Sequence, residues 1–351
     1  MSPKRDTVPW CDYFLYGLRM HSNHPIPGLA RTSTTTVMPG DVRVWLNATP
    51  PEFLEIMSDN EQSSYVSEDT DEHGTPILRI TCGGRGDYFR LLFSDGVQFL
   101  VDRAGTALSM AATANTTIED AASYLVGPIM AFVLSLRNVT CLHASAIAIE
   151  NQAIALLGSS GAGKSTTAAM FARLGFPVLS DDVVPLRDRH DHFLAQPGYP
   201  CLRLWPSSVD ALFGSPEALP CLTPTWEKRG LDLTAGDYKF HTQESPLKAI
   251  YILDERCDRA PVVENISVRE GLLALVANSY TAHVINPQQR ALEFQVLSRV
   301  AKHVPLRRVK AHTDPARLPE LCAAIVDDFY AQTHSAKYPN LIKEDRHVQG
   351  S

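Results

Sequence analysis

The stretch GSSGAGKST at 158–166 has the residue types a polyphosphate needs, at the spacing it needs them. Gly158, Ser159, Ser160, Gly161, Ala162 and Gly163 are small enough for successive backbone N–H groups to curl around phosphate oxygens. Lys164 can reach the terminal phosphates, Ser165 can hold magnesium, and Thr166 leads into the next element. Such a loop must follow a strand and open a helix. Residues 153–157 are an apolar run of strand length, and 166–174 read as a helix stopped by Gly175.

Two further features point at the same γ-phosphate. Asp181 and Asp182 end the apolar run 176–180, and neighbours on a strand face opposite ways. One can then join a magnesium shell while the other meets an incoming hydroxyl. Upstream, 139–149 and 152–157 read as strands joined by Glu150 and Asn151. A two-residue hairpin there sets His143 opposite Gly158, beside the loop. Phosphoryl transfer asks for little beyond metal, positioning and a group to orient or deprotonate the nucleophile. The competing reading is a non-catalytic nucleotide-dependent switch, which needs the loop and metal ligands but no base. No base-recognition motif is legible, so ATP and GTP both fit.

The elements that must position these groups are read from the rest of the chain. At 351 residues with 44% hydrophobic and 20% charged, the composition is globular and suggests two domains. A net charge of -7 argues against nonspecific nucleic-acid binding. Seven cysteines, odd in number and without a CxxC pair, suit reduced thiols of a cytoplasmic protein. The opening MSPKRDTVPWCDYF lacks the apolar core of a secretory signal. The uncharged run 121–136 is shorter than the ~20 residues a bilayer needs and contains Gly127 and Pro128, so no membrane span is expected.

Residues 1–115 read as a β-rich module with short strands at 13–20 and 42–46 and a hairpin at 87–102, where Asp95 and Gly96 supply positive φ. The acidic stretch 52–72 is expected to be a solvated loop or helix face, and Arg85-Gly86-Asp87 a turn. Residues 116–331 form the catalytic domain, with one or two helices over Ile118–Leu136 and an irregular run at 187–200. His190 and His192 in that run read as solvent-exposed. A strand at 249–253, helices at 269–280 and 288–303, a strand at 306–309 and a helix at 316–330 follow, then a polar tail at 332–351. Lys228, Arg229, Lys239 and Lys248 are candidates for neutralising phosphate or docking an acidic peptide, with surface solvation the default for each. Lys302, His303, Arg307, Arg308 and Lys310 read as surface.

His143, the loop through Lys164 and Ser165, and the Asp181–Asp182 pair resemble, in type and spacing, the active-site series of the HPr kinase/phosphorylase family. The resemblance covers about residues 140–186. It implies an α/β fold with a P-loop HPr-kinase/phosphoenolpyruvate-carboxykinase-like catalytic domain behind the β-rich module. It also implies ATP and Mg²⁺ as cofactors and a serine hydroxyl as acceptor. By resemblance Lys164 contacts the terminal phosphates, Ser165 and Asp181 serve the metal, Asp182 accepts the serine proton, and His143 supports it. In a later signature segment Arg203 is kept, whereas Cys201 stands where the family carries glutamate. The YGLRM and PIPGL stretches are similar to HPr-kinase-like proteins of peptide natural-product pathways, including lasso-peptide tailoring kinases. The expected partner is thus a peptide or small protein recruited by the β-rich module; a small hydroxyl metabolite as acceptor and a homo-oligomeric state are left open.

Overall fold

The computed structural model describes residues 10–32, 41–57, 61–83, 86–111, 113, 116–280 and 286–333. Arg85 and residues 334–351 of the polar tail lie outside the described residues.

The N-terminal sheet has eight strands: β1 Cys11–Leu15, β2 Leu18–Ser22, β3 Val42–Leu46, β4 Gln62–Val66, β5 Leu78–Gly83, β6 Tyr88–Phe93, β7 Gln98–Asp102 and β8 Ala107–Ala111. Their spatial order is β1-β2-β3-β8-β7-β6-β5-β4. Alternation drives it: in VRVWL, Val42, Val44 and Leu46 are buried while Arg43 and Trp45 are only partly so. The stretch 13–20, expected as one run, is instead a hairpin bent at Tyr16 and Gly17, both with positive φ. In the β6–β7 turn only Gly96 has positive φ; the Asp95 carboxylate instead accepts the Val97 N–H at 3.0 Å. Among the described residues of the acidic stretch 52–72, the expected solvated helix face is found at its start and a strand beyond it. The helix is α1 (Pro51–Ile56), anchored by fully buried Phe53, and the strand is β4, which pairs with β5.

Helix α2 (Ile118–Tyr124) runs through a π turn at Leu125–Ile129 into α3 (Met130–Leu136). Thr117 and Asp120 form a reciprocal capping box at its start. The segment is long and apolar enough to cross a membrane, yet 78% of its apolar window is buried inside the protein. Its Leu125, Val126, Ile129, Met130 and Val133 join Tyr13, Leu15, Val44 and Phe99 of the sheet in one core, which therefore draws on both sides of residue 115.

The second sheet contains β9 Thr140–His143, β10 Ser145–Ile149, β11 Gln152–Leu157, β12 Val178–Ser180, β13 Val183–Asp188 and β14 Phe193–Ala195. It is completed by β17 Ser245–Leu253, β18 Val262–Asn265 and β19 Leu306–Lys310, after a separate two-stranded ribbon of β15 Cys201–Leu204 and β16 Arg229–Asp232. β11, β17 and β19 run parallel as neighbours, and β10 and β12 flank β11 on its other side. Helices α4 (Lys164–Arg173), α5 (Pro206–Phe213), α6 (Val268–Ala277), α7 (Pro287–His303) and α8 (Leu318–Thr333) cover the sheet. The expected irregular run 187–200 turns out to contain the β13–β14 hairpin, with His190 and His192 exposed at its tip. Arg307, Arg308 and Lys310 pair with Asp328, Glu270 and Glu264.

Candidate active site

β11 ends at Leu157, the chain turns through residues 158–163, and α4 begins at Lys164. Gly163 caps that helix at φ +100, a conformation in which a side chain would be strained. The helix N-terminus and its free N–H groups therefore face the loop, an arrangement suited to an anion. The Lys164 Nζ donates to the carbonyls of Gly158 at 2.7 Å and Ser159 at 3.2 Å. Burial lowers its pKa, opposed by Asp182 and Asp181. Thr166 reaches Ser208 of α5 at 2.9 Å, which ties the helix to the cavity wall.

The two aspartates are not at opposite faces of a strand. They form the link between β12 and β13, tightened by a Val183 N–H to Asp181 carbonyl bond of 2.9 Å, and Asp182 takes φ +70. This turn, not strand alternation, separates their tasks. Asp181 is buried, and its Oδ1 accepts from Ser145 Oγ at 2.6 Å and Ser165 Oγ at 2.9 Å. The Arg203 N–H lies 3.2 Å from its Oδ2. Asp182 faces other groups: His143 Nδ1 is 3.6 Å from Oδ1, and Oδ2 accepts from the Tyr280 hydroxyl at 3.1 Å and lies 3.9 Å from Arg203 Nη1.

His143 reaches this position by a route other than the expected one. The run 139–149 is two strands, because the chain leaves β10 at Ala144 and β9 pairs with β13, setting His143 beside Val183 and not opposite Gly158. Burial is the largest influence on the imidazole and holds its pKa below 6.5, against the pull of Asp182. The ring is then neutral near neutrality, and on acidification the unfolded chain takes up the proton first. The stability it contributes is present above pH 6.5 and is lost as pH falls through the folded value. Since 41% of the side chain is exposed, the effect is modest. His143→Gln is expected to flatten the decline of the urea midpoint between about pH 7 and about pH 5. Equal declines in both proteins would show that the ring titrates as if free.

Several residues at the site carried no sequence signal. Gly127, in the π turn, lies so near that an added Cβ would stand 3.1 Å from both Arg203 Nη1 and Asp182 Oδ2. Tyr280 stacks on His143 with ring centroids 5.3 Å apart, and burial pushes its phenol well above the usual range. Tyr16, from the β1–β2 turn, donates to the Val126 carbonyl in the π turn at 2.7 Å, so the N-terminal sheet touches the wall of the site. Gly-Pro inside a helical pattern was the one available hint. Cys201, at the position where the resembled family carries an acid, has its pKa pushed up by burial to about 12 and stays a neutral thiol.

A cavity of about 520 Å³ runs along the phosphate loop and the two aspartates. His143, Ser160–Thr166, Asp181, Asp182 and Arg203 line it; Lys228 does so too, its ammonium 4.9 Å from the ring centroid of half-exposed Trp205. Arg229, Lys239 and Lys248 are not among the lining residues; Arg229 instead donates to Cys221 Sγ at 2.8 Å. Arg256 and His312 do line it, although no motif marked them.

No family model matches the chain, and no curated protein matches it. Among solved structures it is similar to the Hpr(Ser) kinase/phosphatase from Coxiella burnetii, at 12% identity and a TM-score of 0.29, over 55% of this chain and 98% of that one. Such a partial overlap leaves the chemistry to be read from the side chains.

Proposed function

We propose that the protein is an ATP-dependent kinase that transfers the γ-phosphate to a serine hydroxyl of a peptide or small protein. The observation that carries this reading is the division of labour between two adjacent carboxylates. Asp181 is buried and shares Oδ1 with the Ser165 hydroxyl, while Asp182 opens on the cavity beside His143. In the reaction the acceptor oxygen bonds to the γ-phosphorus, its proton passes to an Asp182 oxygen, and the bond to the β-phosphate oxygen breaks to release ADP.

The hard oxygen donors of Ser165 and Asp181 suit magnesium, whereas the neutral Cys201 thiol does not. Bound there, magnesium would offset phosphate charge. Among the described residues no group of three or more His, Cys, Asp or Glu could hold a metal ion. The remaining ligands would then come from phosphate oxygens and water. Lys164, the loop N–H groups, Arg203 and Lys228 are the cations and donors that face the transferred charge.

A peptide acceptor, such as a natural-product precursor of the lasso type, fits the broad sheet beside the site. Its outer strand β4, at the opposite end of the sheet from the β1–β2 turn that touches the site, offers an edge to which an extended peptide can add. Transfer from γ-labelled ATP with magnesium to precursor peptides, HPr and free serine tests the reading. Labelling of a peptide or HPr is expected. Labelling of free serine alone would move the acceptor to small metabolites, and nucleotide binding with no transfer to any of them would favour a switch.

A further inference from the structure

The cavity extends to both sides of the phosphate-loop strand. The link after β12 brings Asp181 and Asp182 to one side of β11; the loops after β17 and β19 lie on the other. Because β11, β17 and β19 run parallel, their carboxyl ends share one rim, the place where open α/β sheets bind ligands. On this second side the lining includes Leu253, Ala311, Pro315 and Leu318, with Arg256 and His312 as its polar groups.

The two loops form a stiff platform. Past the end of the strand pair, the Cys257 N–H donates to the Ala311 carbonyl at 2.9 Å and the Thr313 N–H to the Cys257 carbonyl at 3.1 Å. His312 Nδ1 accepts the Asp314 N–H at 2.9 Å, which leaves Nε2 to carry the ring proton. Arg256 leans over the phosphate loop, its Nη2 3.2 Å from where a Cβ on Gly163 would sit. Apolar walls beside two donor-only groups suit a flat heterocycle whose edge is made of acceptors.

Resting on the reading of the loop as a nucleotide site, we propose that this end of the cavity holds the purine base of the nucleotide. Leu253, Pro315 and Leu318 cover its faces, and His312 and Arg256 donate to ring acceptors. Adenine and guanine both present acceptors along the fused-ring edge, so discrimination between them is weak. A single-ring pyrimidine leaves part of the wall uncovered and lacks the N7 acceptor.

Calorimetric titration with magnesium complexes of ATP, GTP, CTP and tripolyphosphate tests this. The native protein is expected to bind ATP and GTP within about ten-fold of each other and CTP at least about ten-fold more weakly. Arg256→Ala combined with His312→Asn, which keeps an acceptor for the Asp314 N–H, is expected to erase the purine preference; because Arg256 leans over the phosphate loop, tripolyphosphate affinity falls too, by the same factor as that of CTP. An unchanged preference in that variant overturns the assignment. So does loss of the preference in Trp205→Ala, which would put the base at the other end. If tripolyphosphate binds and the base makes no difference, this inference alone fails; if neither ATP nor tripolyphosphate binds, the nucleotide reading fails with it.

Discussion

Asp182→Asn is expected to lower phosphoryl transfer by about 10²–10⁴-fold while nucleotide affinity changes only a few-fold. The carboxylate is the one acidic group of the pair without a serine hydroxyl on it, and it lies 3.6 Å from a histidine that burial keeps neutral. Asparagine preserves its shape but cannot accept a proton. Residue 182 has φ +70, and asparagine is among the few residues that tolerate that conformation, so the link between β12 and β13 should keep its form. Single-turnover transfer from labelled ATP, with calorimetric nucleotide binding beside it, separates the two effects. Undiminished transfer would remove Asp182 from the role of base.

Gly127→Ala should reduce transfer by about 10- to 100-fold without unfolding the protein. The new methyl would sit 3.1 Å from Asp182 Oδ2 and Arg203 Nη1, so both must yield by a few tenths of an ångström. Neither has much room. Asp182 is held by Tyr280, and Arg203 has only 10% of its side chain exposed. Burial works against the guanidinium charge, yet Asp182 and the neighbouring phenols outweigh it and raise the pKa, so Arg203 stays charged. Gly127 itself has φ −111° and ψ −105°, outside helical values, so alanine brings no helix propensity to the π turn. The expected signature is a large fall in kcat beside a Tm that drops by only a few degrees. A fall in Tm with unchanged kcat would instead make Gly127 a residue of packing only.

The local features of the site were legible in the chain. Strand, glycine turn and helix around Lys164 follow from apolar run length and from which residues accept positive φ, and the Glu150–Asn151 turn does so as well, with φ of 49° and 61°. These are properties of a few consecutive residues. Composition likewise reported a buried helix over 121–136, an uncharged segment broken by Gly-Pro, and 78% of the apolar window of Ile118–Leu136 is buried.

Strand partnership and side-chain convergence were settled by packing between distant segments. Extending the β10–β11 register one step too far misplaced His143, since nothing local says that Ala144 ends one pairing and begins another. Of four basic residues within reach by sequence, only Lys228 came to the cavity, because the β15–β16 ribbon turns its neighbour Arg229 toward Cys221. Tyr280 meets Asp182 across 98 positions and Tyr16 meets Val126 across 110. Phosphate chemistry is encoded in a nine-residue stretch of turn and helix start because backbone torsion is a local property. The environment that prepares Asp182 depends on which faces of remote elements are buried together, and that exists only in the folded chain.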